Sequence, residues 1–169
     1  MRLKSILLFA AKFAGTYTLL YALYYFLRSQ FSGFEPLLLK SLAICVNGVL
    51  SIFGDTSIIY TNGIPSLNFN LTPVAELIPA CNGHRVYILF ISLFPAAFSL
   101  KHIQYFKWIF ISIVGLYIGN VLRISVLSLI YYYQPNIFPF THEYLFQGAF
   151  YLMVLLAWYW SFKKIQDHE

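Results

Sequence analysis

Residues Trp108 to Tyr133 read WIFISIVGLYIGNVLRISVLSLIYYY, an apolar run that contains two strongly polar side chains, Asn120 and Arg123. A helix of about 26 residues is longer than the roughly 30 Å hydrocarbon core of a bilayer, so the run predicts a transmembrane helix. An arginine near the bilayer centre costs roughly 2.5–3.5 kcal/mol even on lenient insertion scales. We therefore expect Arg123 to face a polar cavity or an acidic partner.

The composition of the whole chain is also that of a membrane protein. Of its 169 residues, 60% are hydrophobic and 10% are charged, whereas soluble domains carry roughly 45–50% and about 25%. The mean hydropathy is +0.70. These values argue against a soluble enzyme or a disordered tail. They also predict no nucleic-acid partner, because the 11 basic residues are scattered among apolar runs instead of forming a binding stripe.

The distribution of apolar runs predicts an all-α integral membrane protein with about four transmembrane helices in one domain, residues 1–169. The predicted spans are 6–27, 83–100, 108–133 and 144–162. The first run favours a retained anchor over a signal peptide, because it is long and lacks small residues at a cleavage point. Residues 36–53 favour an interfacial or re-entrant helix. Residues 54–80, punctuated by Gly, Asn and Pro, predict a small β-prone part of an external segment over about 28–82.

Basic residues set the predicted topology. They cluster at Arg2 and Lys4, at Lys101 and Lys107, and at Lys163 and Lys164. The positive-inside rule places all three clusters in the cytoplasm if four segments cross and residues 36–53 do not. The segment that contains Cys81 and the corner that contains His142 then lie at the outer face.

Asn120 and Arg123 lie three residues apart, so a helix places both on one face. One interpretation is a structural ion pair between Arg123 and Glu143 or Glu76. The other is a positive charge held in a functional site with Asn120 as a supporting residue.

The two cysteines occupy different local sequences, although a disulfide between them stays open. Cys81 lies in Pro-Ala-Cys-Asn-Gly-His-Arg, directly before an apolar helix for which Asn82 is a plausible N-cap and Gly83 allows close backbone approach. A helix N-terminus and the nearby Arg85 both lower a thiol pKa, which favours a reactive thiolate. A buried structural cysteine is the alternative. Cys45 lies in an apolar helix without such signals.

Two histidines are candidates for proton transfer with Cys81, because imidazole exchanges protons near neutral pH. His142 precedes the last apolar run, where it could instead simply begin a helix that Thr141 caps. His84 is closer in sequence, but it begins the helix that follows Cys81, so we expect its ring to point along the span and not across to the sulfur.

A thiol, a cation and an imidazole at one membrane face suit acyl transfer. The thiolate attacks a peptide carbonyl, the cation stabilises the oxyanion, and the imidazole protonates the leaving amine. We expect neither a metal nor another cofactor, since arginine is not a metal ligand.

These motifs resemble the exosortase/archaeosortase family, most closely its small exosortase F type. That family has a Cys-x-Gly motif, an Asn-x-x-Arg motif in a transmembrane helix and a histidine before the last helix. The matching residues here are Cys81-Asn82-Gly83, Asn120 to Arg123, and His142, with Gly148 six residues later. Where the family often has an apolar residue after the glycine, this chain has His84 and Arg85.

The resemblance implies a membrane cysteine transpeptidase or peptidase with Cys81 as nucleophile, Arg123 as oxyanion or thiolate stabiliser and His142 as general acid and base. It implies a multi-pass protein of the bacterial inner membrane whose site faces the periplasm or exterior. Its partners would be membrane lipid, exported proteins with a C-terminal motif, hydrophobic helix and basic tail, and a surface glycan or lipid as acceptor. The alternative is a non-enzymatic assembly factor or small transporter subunit, which would need Arg123 but not Cys81.

Overall fold

The computed structural model describes residues 3–97 and 104–166, and this part of the chain is mostly helical. Arg2 and Lys101, two of the basic residues that were used to predict the topology, lie outside the described residues. The α-helices are α1 (Leu3–Gln30), α2 (Phe34–Leu50), α3 (His84–Ala97), α4 (Gln104–Tyr133), the short α5 (Phe138–Phe140) and α6 (Phe146–Gln166). The strands are β1 (Thr56–Thr61), β2 (Ile64–Phe69) and β3 (Thr72–Glu76). A 3-10 turn, Pro79–Asn82, precedes α3, and a π-helical segment, Thr141–Leu145, joins α5 to α6.

The chain forms two compact units. The first consists of Met1–Gln30, His84–Leu116 and Leu152–Glu169, and the second of Phe31–Gly83 and Tyr117–Tyr151. Each unit has its own hydrophobic cluster. Cys81, Arg123 and His142 all belong to the second unit.

Two helices are long and apolar enough to cross a membrane, Ile6–Gln30 and Phe106–Tyr133. They coincide with the first and third spans expected from the sequence and are compatible with a membrane protein. The expectation of four transmembrane helices is not supported, because within the described residues no other helix meets the same test of length and hydropathy.

The other two expected spans differ from these helices in length or in composition. The described part of α3 has 14 residues and contains Pro95, which corresponds to a length of only ~21 Å. Helix α6 has 21 residues, but its glutamine and lysine residues lower its mean hydropathy.

The β-prone segment forms an antiparallel sheet with the strand order β1-β2-β3. Two-residue turns join the strands, and their residues Asn62, Gly63, Asn70 and Leu71 all have positive φ angles. Such turns match the right-handed twist of adjacent strands, which is why Asn and Gly favour a hairpin there. This confirms the β-prone character expected for residues 54–80.

Helix α2 covers this sheet with one of its faces. Leu39, Leu42, Ala43, Val46 and Leu50 are buried and follow the spacing of an amphipathic helix. The buried side of α2 packs with β2 and with part of α4 in one hydrophobic cluster. At 17 residues α2 is shorter than the helices that could cross a membrane, and its interfacial or re-entrant placement stays a prediction.

The first unit is held together by helix packing. Helices α1 and α3 lie against each other, and the rings of Phe90 and Phe94 meet edge to face at 5.1 Å. These rings pack with Leu116 and Val154 in a buried cluster. The hydroxyls of Ser112 and Ser161, which are 2.7 Å apart and buried, pair within this unit.

Candidate functional site

Cys81, Arg123 and His142 line the same cavity in the second unit, with a volume of about 210 Å³. Its wall also includes β3, one face of α4 and the beginning of α5. The three residues are 42 and 19 positions apart in sequence, so their convergence is a property of the fold. The cavity brings together a nucleophile, a cation and an imidazole.

Asn120 connects the cysteine segment to the arginine. Its side chain is fully buried, and its Nδ2 donates a hydrogen bond to the carbonyl oxygen of Cys81 at 2.8 Å. Its Oδ1 accepts from Nη1 of Arg123 at 3.5 Å. Because a buried amide that meets both of its partners is held in one orientation, Asn120 fixes the position of the Cys81 backbone relative to α4.

Arg123 is half-buried and has no carboxylate partner in the described part of the chain. Its guanidinium carbon lies 5.4 Å from the ring centre of Phe150, in the geometry of a cation–π contact. Its Nε is buried and makes no hydrogen bond with any described residue. Glu76 lines the same cavity, but neither it nor Glu143 forms an ion pair with Arg123 in the described structure. The proposed structural ion pair is therefore not observed, and a donor of Arg123 is left for a further acceptor.

Cys81 lies in the 3-10 turn Pro79–Asn82 and not at the first residue of α3. Its backbone N–H donates to the carbonyl of Ile78 at 2.8 Å, which closes the turn. Gly83 then adopts a left-handed conformation with φ of 74°, where a side chain would be strained. Asn82 is buried within the turn and does not begin the helix. The sequence expectation of Asn82 as an N-cap is thus corrected, since α3 begins two residues later.

Burial raises the pKa of the Cys81 thiol above its ordinary value. A hydrogen bond with the backbone of Ile78 and the positive charge of Arg123 act in the opposite direction without overcoming burial. This corrects the expectation of a thiolate favoured by a helix start and by Arg85. The desolvation of the anion is the physical reason, and the sulfur therefore needs a base to take its proton.

His142 is exposed at the rim of the cavity, in the π-helical segment. Its ring stacks on that of Phe138 with a centroid distance of 5.4 Å. Thr141 does not cap a helix as one interpretation held, because its hydroxyl donates back to the carbonyls of Ile137 and Phe138. Single π-helical turns inside helices are frequently found at functional sites.

His84 and Arg85 do not line the cavity. Both belong to the first unit, where the His84 ring stacks on Tyr24 at 4.4 Å with an interplanar angle of 3°, and Arg85 is exposed on α3. The structure therefore brings His142, and not His84, into the cavity with Cys81.

Cys45 is a free thiol on an exposed position of α2. Its sulfur accepts a hydrogen bond from the hydroxyl of Tyr117 at 3.6 Å. Cys81 is also free, so the open alternative of a disulfide between the two is not realised. Cys45 does not line the cavity, which makes it a matched control for Cys81.

The sequence analysis missed several residues of the cavity wall. Ser128 and Tyr131 line it together with Arg123. Part of their signal was present, because Ile124, Ser128 and Tyr131 follow the i, i+4, i+7 spacing of one face of α4. Val74 and Ala75 of β3 also line it and carried no such signal, since only the fold brings that strand to the cavity.

Within the described residues, no group of three or more His, Cys, Asp or Glu side chains is arranged to hold a metal ion. Comparison with known proteins finds no matching family model, no matching curated protein and no matching solved structure. Any functional conclusion therefore depends on the cavity itself and on the motifs in the sequence.

Proposed function

We propose that this chain is a membrane-embedded cysteine transpeptidase that cleaves the C-terminal sorting signals of exported proteins. The observation that carries the proposal is the single cavity lined by Cys81, Arg123 and His142. The resemblance of the three motifs to the exosortase/archaeosortase family supports it, because the same residue types occur in the same order.

The first chemical step follows from the state of the thiol. Burial raises the pKa of Cys81, so the sulfur attacks the substrate carbonyl as His142 accepts its proton. A carbon–sulfur bond forms, and the carbonyl oxygen becomes an oxyanion. Arg123 donates to this oxygen, because its side chain lines the cavity and has no carboxylate partner in the described part of the chain.

The second step releases the C-terminal signal. The carbon–nitrogen bond breaks, the amine leaves with the proton from His142, and a thioester to Cys81 remains. The nucleophile of an acceptor, a surface glycan or a lipid, then attacks this thioester and gives its proton to His142. The sulfur leaves and is reprotonated, which restores the thiol.

The proposed location is the outer face of a bacterial inner membrane, with several crossings of the chain. The two apolar helices support membrane insertion, and the basic residues support an inward position for Lys107. Lys107→Cys tests the topology by labelling with a membrane-impermeant maleimide in intact cells. We expect no labelling at position 107 until the membrane is permeabilised, and labelling from outside would reverse the proposed orientation.

The catalytic proposal is tested by quantitative mass spectrometry of protein C-termini in membranes of cells that make the chain. With Cys81→Ala, exported proteins that end in a hydrophobic helix and a basic tail accumulate uncleaved. With Cys45→Ala, the matched control, they are processed as in the wild type. Unchanged processing in Cys81→Ala, with the protein inserted at its normal level, would refute the enzyme and favour an assembly factor or transporter subunit.

A further inference from the structure

Four consecutive residues, Val74 to Leu77, line the cavity that contains Cys81. Side chains in a strand alternate between the two faces of the sheet. A cavity that touched one face would therefore meet every second residue. Contact with three successive residues of β3, Val74 to Glu76, and with Leu77 directly after it indicates that the cavity follows the edge of β3 and not one of its faces.

This edge is the open side of the sheet. In the order β1-β2-β3, strand β3 has a strand partner only at β2. The pair Leu67 and Ala75 is in register, and the N–H of Leu77 donates to the carbonyl of Pro65 at 2.9 Å. The backbone groups of Ala75 and the N–H of Leu77 are thus directed toward β2.

The geometry of the peptide unit then assigns the opposite direction to the neighbouring groups. In a trans peptide the C=O and the N–H point to opposite sides. The carbonyl of Val74 and the N–H of Glu76 consequently point away from β2, toward the open edge. Within the described part of the chain, neither the Val74 carbonyl nor the Glu76 N–H has a hydrogen-bond partner on this side.

We infer that the substrate binds as an extended peptide that adds a strand to the open edge of β3. This inference rests on the proposed function and specifies how its substrate is held. The substrate backbone donates to the carbonyl of Val74 and accepts from the N–H of Glu76, as in other cases of strand addition. The peptide then continues past Cys81, which follows β3 by five residues and lines the same cavity.

The size of the cavity supports an extended occupant. A volume of about 210 Å³ is below the roughly 300–1,000 Å³ of pockets that enclose a whole small-molecule ligand. It can hold the reacting carbonyl and adjacent groups but not a folded segment. Main-chain pairing at the edge would hold the rest of the peptide without requiring a deep pocket for each side chain.

The first test uses the uncleaved exported proteins that accumulate with Cys81→Ala as substrates. Glu76→Pro removes the outward N–H at an edge position where proline is tolerated, whereas Glu76→Ala removes the carboxylate and keeps the N–H. We expect processing to be at least about fivefold slower in Glu76→Pro than in Glu76→Ala, the effect of one hydrogen bond. Tyr60→Pro, which removes an outward N–H from the opposite edge on β1, should process at the wild-type rate.

The second test does not depend on turnover. In the full-length Cys81→Ala chain, p-benzoyl-phenylalanine at position 76 should crosslink to exported proteins beside their cleavage sites, and the same probe at position 60 should not. Crosslinks from position 76 to another segment of this chain, or none to an exported protein, would overturn the inference.

The outcomes separate the two proposals. If Cys81→Ala blocks processing but Glu76→Pro matches Glu76→Ala, the enzyme stands and strand addition is refuted. If Cys81→Ala has no effect, the enzyme is refuted, and the crosslink at position 76 alone decides whether the edge binds a peptide.

Discussion

Asn120→Ala should release the segment that carries Cys81. The variant removes the donor to the Cys81 carbonyl at 2.8 Å and the acceptor of Arg123 at 3.5 Å. Because Asn120 is fully buried, the carbonyl loses a partner that water does not readily replace. Leaving a buried acceptor unsatisfied costs about 1–3 kcal/mol, which corresponds to a local opening that is roughly 5- to 150-fold more populated.

The assay is the alkylation rate of Cys81 by a bulky maleimide, quantified by mass spectrometry in detergent. Cys81 is partly buried in the wall of the cavity, so the access of a bulky reagent to its sulfur increases when the segment opens. We expect the rate for Cys81 to rise about 5- to 150-fold in Asn120→Ala, in proportion to that population. The rate for the exposed Cys45, measured in the same molecule, should not change.

Ser125→Ala is the matched control. Ser125 is as buried as Asn120 and lies on the same helix, but its hydroxyl donates to the Val121 carbonyl within α4 at 2.9 Å. That carbonyl belongs to the helix and keeps its backbone partner when the hydroxyl is removed. The Cys81 rate should therefore stay near that of the wild type. An Asn120→Ala protein with an unchanged Cys81 rate would refute the assigned role of the amide.

Three further results are expected. In thermal denaturation, Gly54→Ala should lower the free energy of unfolding by about 1–3 kcal/mol, because the added Cβ would lie 2.9 Å from a ring carbon of the buried Phe69. Gly48→Ala is the control, since a Cβ at that position meets no atom within 4 Å and should not destabilise the chain. His142→Ala should reduce processing by roughly 10²–10⁴-fold while His84→Ala retains substantial activity, and the reverse pattern would move the base to α3. Because burial raises the pKa of Cys81, its alkylation by iodoacetamide should increase with pH up to a midpoint above that of an ordinary thiol, and a midpoint below it would contradict the burial argument.

Local sequence predicted a large part of the secondary structure. The apolar run from Trp108 to Tyr133 is a continuous helix because its length and composition alone favour one, and helical spacing put Asn120 and Arg123 on one face. Asn62 and Gly63 were among the residues that punctuated the predicted β-prone segment, and both have positive φ angles in the turn that joins β1 to β2. These are properties of a residue and its near neighbours, so they can be deduced without knowledge of the rest of the fold.

The sequence also proposed the three members of the candidate site and favoured His142 over His84 as the base. His84 is three residues from Cys81, and proximity in sequence made it a rival for His142. The structure places the ring of His84 against Tyr24 in the first unit and brings His142 to the cavity. This outcome depends on packing between segments far apart in the chain, which no local pattern records.

The protonation of the thiol was likewise decided by tertiary structure. A cation and a helix start near Cys81 predicted a lowered pKa, since charges close in sequence can be recognised directly. Desolvation depends instead on which distant residues cover the sulfur, and it raises the pKa. The cation that acts on the thiol is Arg123, 42 residues away, and not the neighbouring Arg85. The sequence thus determined the helices, the hairpins and the reactive residue types, whereas only the packed chain determined their partners, their burial and the open strand edge beside them.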